Sequence, residues 1–100
     1  MMRFFGLTLP DTSQDVAPHV ATALAGRMAA AAAALERGAT AAAAAGVRQD
    51  ARDFLDARRQ GVLRMPRSSA ARACDEHART LLRLTVDAPP LPQAPERLVA

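Results

Sequence analysis

The chain of 100 residues contains no Lys, Asn, Ile, Tyr or Trp, and it has a single Cys. Each absence removes a kind of chemistry. Without Lys there is no amine for Schiff-base catalysis, and without Tyr no phenol to act as acid or base. One thiol, Cys74, cannot close an internal disulfide, so a reducing compartment is expected. Aromatic residues make up 3% of the chain, all of them Phe, which leaves little to stack on nucleic-acid bases. There is no GxSxG, no glycine-rich phosphate loop followed by Lys, no HExxH and no paired-cysteine motif. The reading is therefore non-enzymatic, with no cofactor and no small-molecule substrate.

Lys, Asn, Ile and Tyr share AT-rich codons, so their absence points to a GC-rich bacterial genome, and all 13 basic residues are Arg. The formal net charge of +3 permits an anionic partner without requiring one. The N-terminal Met1-Met2-Arg3-Phe4-Phe5-Gly6-Leu7 opens like a signal peptide, but its apolar stretch stops at Pro10-Asp11. The Ala-rich region is interrupted by Arg27, Glu36 and Arg37, which argues against a membrane span. A soluble, cytoplasmic protein is expected.

What the chain does have is alanine. A quarter of its residues are Ala, and they account for half of the 50% hydrophobic fraction. Burying a methyl is worth about 0.8 kcal/mol, against about 1.5–3 kcal/mol for a Leu or Phe side chain, so the core should be thin. A chain of this length also hides only about two-thirds of its unfolded surface. Both points favour an oligomer or a protein partner.

Two unbroken alanine runs, Ala29 to Ala34 and Ala41 to Ala45, flank Leu35-Glu36-Arg37-Gly38-Ala39-Thr40. Alanine loses no side-chain entropy in a helix, so both runs are read as helical, with Gly38 just past one helix and Thr40 capping the next. The expected fold is all-α. A helical hairpin, Asp15–Arg37 and Thr40–Met65, carries a third helix, Ser69–Val86, folded back on it as a three-helix bundle. Pro66 ends the second helix, and Ser68 or Ser69 caps the third. Residues 1–14 are read as an extended N-terminal arm that lays Phe4, Phe5, Leu7 and Leu9 on the helices, and 15–87 as the helical domain. Residues 88–100, with Pro89, Pro90, Pro92 and Pro95, are read as a disordered tail.

Larger apolar side chains recur at helical spacing, and Val20, Leu24, Met28, Leu35, Val47, Phe54, Leu55, Leu81 and Leu82 are expected to form the packing or partner surface. On the outer faces, Arg52 with Asp56 and a ladder of Asp75, Arg79 and Arg83 stand four residues apart, where opposite charges pair weakly.

Three features are candidates for function. Arg58, Arg59, Arg64, Arg67 and Arg72 surround the Pro66 turn, and Asp56 is the only acid between Leu55 and Cys74. That footprint suits phosphate, helped by the amides that open the third helix. Cys74 and His77 share a helix face, which in a dimer would match zinc stoichiometry; a small buried hydrophobe beside a core-edge histidine is the stronger reading. His19 is expected to face solvent. The preferred function is a small interaction, scaffold or adaptor protein that self-associates or binds a protein partner. The alternative is a basic regulator binding nucleic acid through the five arginines.

Overall fold

The computed structural model describes residues 2–10 and 15–88. The turn expected from Pro10 to Ser13 and the proline-rich tail thus fall almost wholly outside the described residues. Three helices form: α1 (Pro18–Glu36), α2 (Ala41–Arg59) and α3 (Ser69–Leu84). The predominantly helical fold read from the sequence is the one observed.

Local chemistry sets most of the boundaries. The Thr40 hydroxyl accepts the Ala43 amide at 3.1 Å, and the Ser68 hydroxyl accepts the Ala71 amide at 3.2 Å, each satisfying a donor that the first helical turn leaves unpaired. Gly38 sits past α1 with φ 101°, and its amide bonds back to the Leu35 carbonyl.

α3 stops at Leu84, two residues short of Val86, and two boundaries differ from expectation by three residues or more. α1 starts at Pro18 rather than at an Asp15 cap, because Val16 donates its amide to the Arg64 carbonyl at 2.8 Å and buries its side chain. That holds residues 15–17 as a strap outside the helix. Pro18, with no amide to satisfy, takes the first helical position, and Ala17 before it is extended. α2 stops at Arg59, short of Met65. Gly61 adopts φ 74°, and the amides of Gly61 and Val62 return to the carbonyls of Arg58 and Ala57, a complete Schellman motif. The reversal drives Leu63 into the core.

Cross-element contacts order the helices. At one level the Cys74 thiol donates to the Ala21 carbonyl of α1, and Arg58 of α2 holds Asp75 of α3. At the next level Phe5 is bonded to both Arg27 of α1 and Asp50 of α2, while Arg48 reaches the Leu82 carbonyl. Moving from 21 to 27 and from 74 to 82 thus corresponds to moving back from 58 to 48. α1 and α3 run parallel, and α2 runs against both. α3 lies against each of the others, closest to α1, whereas α1 and α2 make few close backbone contacts. The two alanine-bearing helices are consecutive, but it is α3 that packs on both.

The seam has a simple cause. Buried positions on α3 are Ala71, Cys74, Ala78 and Leu81, with Thr85 just past its end, and α1 offers Ala21, Leu24 and Met28. Small residues at the crossing let the backbones approach, and alternating steps of three and four keep one face inward. The buried Thr85 hydroxyl donates to the Leu81 carbonyl, and no buried side-chain nitrogen or oxygen among the described residues lacks a partner.

The N-terminal segment is not a simple extended arm. β1 (Met2–Phe4) pairs antiparallel with β2 (Leu7–Leu9) through the two-residue loop Phe5-Gly6. Both loop residues have positive φ, 53° and 82°, the signature of a type I′ turn whose twist matches the strands. The extended-arm reading missed this, since Phe is a poor residue for the left-handed region. Tertiary contacts hold it there. The Asp50 carboxylate accepts the Phe5 amide at 3.0 Å, and the Arg27 guanidinium donates to the Phe5 carbonyl at 3.1 Å. As expected, the segment does place its apolar side chains on the helices: Phe4 and Leu9 are buried, with Phe4 edge-on to Phe54 at 5.8 Å.

Two glycines should therefore respond in opposite directions. A Cβ at Gly6 would lie 2.8 Å from the Arg27 guanidinium on a left-handed backbone, so Gly6→Ala should cost about 1–3 kcal/mol. Gly26, in mid-helix with open space around it, should stabilise by about 0.5–1 kcal/mol when changed to Ala. Urea midpoints at unchanged slope would report both.

Candidate functional site

The arginines around the Pro66 turn are positioned by two helix ends and the loop between them. Arg58 and Arg59 close α2, Arg64 and Arg67 lie in the loop, and Arg72 is in the first turn of α3. Their states differ. Arg58 grips Asp75 with two parallel bonds, Nε to Oδ1 at 3.0 Å and Nη2 to Oδ2 at 2.9 Å, in a pair only 30% and 21% exposed. The Asp75 bonds hold the Arg58 guanidinium more firmly charged than usual, against an opposing effect of burial. Arg59 pairs with Asp56 one turn earlier, and Arg64 pairs with Asp15 at 3.0 Å. Arg67 and Arg72 are exposed and hold no carboxylate among the described residues. They stand beside Ser68 on an open concavity of about 510 Å³ that Arg58 also lines.

Two charge pairings drawn from sequence spacing are replaced, one by a nearer neighbour on the same helix and one by a tertiary contact. Asp56 takes Arg59 rather than Arg52, and Asp75 turns inward to Arg58 rather than along its own helix to Arg79. An inter-helix bidentate pair outcompetes an exposed four-residue spacing because it is partly desolvated and geometrically matched.

The nine apolar residues expected to pack are divided by the structure. Leu24, Met28, Phe54 and Leu81 are fully buried, while Val20, Leu35, Val47, Leu55 and Leu82 are half-buried against that core. Most of this surface is thus turned inward on the chain's own elements. Sequence reasoning missed Leu63 and the pairing that buries Phe4 and Leu9, because each depends on a chain reversal at a positive-φ residue. Among the described residues, the large hydrophobic side chains that remain exposed are Leu84 at 46% and Val86 at 65%. They lie at the end of the bundle where α2 begins, since Arg48 bonds to the Leu82 carbonyl. Ala29, Ala30, Ala41, Ala42 and Ala43 of the alanine runs are exposed as well.

Cys74 is fully buried and its thiol is pushed up to about 11, chiefly by burial, with Asp75 adding to the shift and Arg58 opposing it. His77 is half-buried and His19 exposed. No three His, Cys, Asp or Glu among the described residues gather where a metal ion could sit. No described helix is long and apolar enough to cross a membrane.

No family model, curated protein or solved structure matches the chain.

Two measurements probe these assignments. Asp75→Ala leaves Arg58 half-buried without its partner and should cost about 1–3 kcal/mol, whereas Arg59→Ala, on an exposed pair, should stay within about 0.5 kcal/mol. Denaturant titration of both variants separates them. For Cys74 the folded-state pKa lies above the ordinary value of 9.0, so stability is fully present below pH 9.0 and falls as pH rises towards about 11. With neither Lys nor Tyr in the chain, no other side chain titrates in that window. Cys74→Ala should therefore flatten the alkaline limb of the stability curve, read as unfolding midpoint against pH.

Proposed function

We propose that the protein is a small, non-enzymatic helical interaction module that self-associates, working as a scaffold or adaptor. The observation that carries this reading is the apolar end of the bundle. Leu84 and Val86 project there, just past the buried positions of α3, and the exposed alanines of the α1–α2 turn region offer a smooth wall on which a second helix can approach closely. Covering that end in a symmetric dimer supplies the burial that a core rich in Ala lacks. A reducing bacterial cytoplasm suits a chain whose single thiol is free and buried.

The alternative is a basic regulator that contacts nucleic acid through Arg58, Arg59, Arg64, Arg67 and Arg72. It has less support, because three of the five already hold carboxylates and no aromatic ring lines the concavity beside them.

The expected outcome in solution is a mass above that of one chain that rises with protein concentration. Leu84→Glu combined with Val86→Glu should return it to the mass of one chain with helicity unchanged. A wild-type chain that stays monomeric at every concentration would remove the reading.

A further inference from the structure

Two open concavities follow one another along the groove between α2 and α3, and a third lies beside them on the face of α3. The first is lined by Arg58, Arg67 and Arg72, the second by Arg58, Arg59 and Arg79, and the third by Arg79 and Arg83. Arg58 lines the first two and Arg79 the last two, so the three adjoin as one basic surface, with volumes of about 510, 400 and 250 Å³. Of the six arginines that line it, Arg58 is engaged by Asp75 and Arg59 by Asp56, which leaves Arg67, Arg72, Arg79 and Arg83 against Glu76. Arg72, Arg79 and Arg83 are exposed on α3 at intervals of seven and four, one stripe spanning about 16 Å of helix axis. Apolar contact is available in the floor, from Met65 in the first concavity and Leu55 in the second.

We propose that this groove docks an acidic amphipathic helix of a partner protein. A helix laid along the groove repeats on the same 3.6-residue period as the arginine stripe, so Glu or Asp at three- and four-residue spacing meets Arg72, Arg79 and Arg83 in turn. Its apolar positions rest on Leu55 and Met65. The Arg58–Asp75 pair displays the same recognition within the chain, a guanidinium taking a carboxylate through two parallel bonds. No aromatic ring lines any of the three concavities, which leaves single-stranded bases nothing to stack on. This surface is distinct from the apolar end through which the module self-associates, and the two can fail separately.

The test uses the full chain and a fluorescein-labelled helical peptide of about 18 residues, with Glu on one face and Leu on the other. Its controls are the same peptide with every Glu changed to Gln, a short DNA duplex and an oligouridine. Anisotropy at about 50 mM and about 150 mM salt should show saturable binding of the acidic peptide that weakens with salt, with the Gln peptide at least about tenfold weaker. Arg72→Glu with Arg79→Glu should lower affinity at least about tenfold while the thermal transition and the concentration-dependent mass are unchanged. Should that pair impair folding, Arg83→Glu alone should still weaken binding measurably. The proposal is overturned if the duplex or the oligouridine binds as tightly as the acidic peptide. It is equally overturned if the Gln peptide binds equally well, if the arginine variants bind undiminished, or if no saturable binding occurs at the lower salt.

Discussion

The close approach of α3 to α1 is the constraint on which the rest of the molecule depends. Ala21, Cys74 and Ala78 are small enough to bring the two backbones together, and the Cys74 thiol reaches the Ala21 carbonyl across the seam. A larger side chain at any of these positions would overpack the crossing and force the helices apart. Once α3 is seated on α1, its other face meets α2, and the Arg58–Asp75 pair fixes the level at which they meet. The fold is thus organised around its last helix, even though the long alanine runs lie in the first two.

A seam built of methyl groups buries little, and the N-terminal hairpin makes up part of the difference. Phe4 and Leu9 enter the same core as Phe54, Leu24 and Met28, bringing larger side chains than the crossing itself can hold. The hairpin turn places Phe5 on a left-handed backbone, a conformation that costs free energy in isolation. Asp50 and Arg27 bond to its amide and carbonyl from two different helices, so one turn ties α1 to α2 where those helices barely touch directly. Residues 15–17 act similarly at the other end of α1, through Val16 and the Asp15–Arg64 pair.

Charge is distributed by the same logic. Where an arginine lies between elements, as Arg58 does, it becomes a partly buried structural contact. Where it lies on the outer surface of α3, as Arg72, Arg79 and Arg83 do, it is left to the solvent-facing groove. Of the five arginines that cluster in sequence around Pro66, Arg64 turns to Asp15, and the basic surface that the others line draws also on Arg79 and Arg83, seven and eleven residues beyond Arg72. Proximity along the chain suggested a point-like basic cluster, whereas packing produced an elongated stripe of arginines.

How much was legible follows from the range of each interaction. Thr40, Ser68 and Gly38 act on backbone groups within four residues, so three helices and most of their limits could be read directly from the chain. The start of α1 at Pro18 could not, since Val16 is held by Arg64 far along the chain. The inward stripe of Leu24, Met28, Phe54 and Leu81 followed from helical periodicity. The early stop at Gly61 and the hairpin at Phe5-Gly6 turned on positive-φ residues whose occupancy depends on distant partners, and both were misplaced in the reading from sequence. The carboxylates that Arg58 and Arg64 take from other elements were equally out of reach, because spacing ranks only neighbours on one helix. By itself, then, the sequence determined that the chain is helical, where its caps fall and how thin its core must be, since these depend on local hydrogen bonding and on the size of a methyl group. Only the tertiary structure decided that α3 joins the other two helices, that Phe5 takes a left-handed turn and which arginines remain exposed, since each requires groups far apart in the chain to meet.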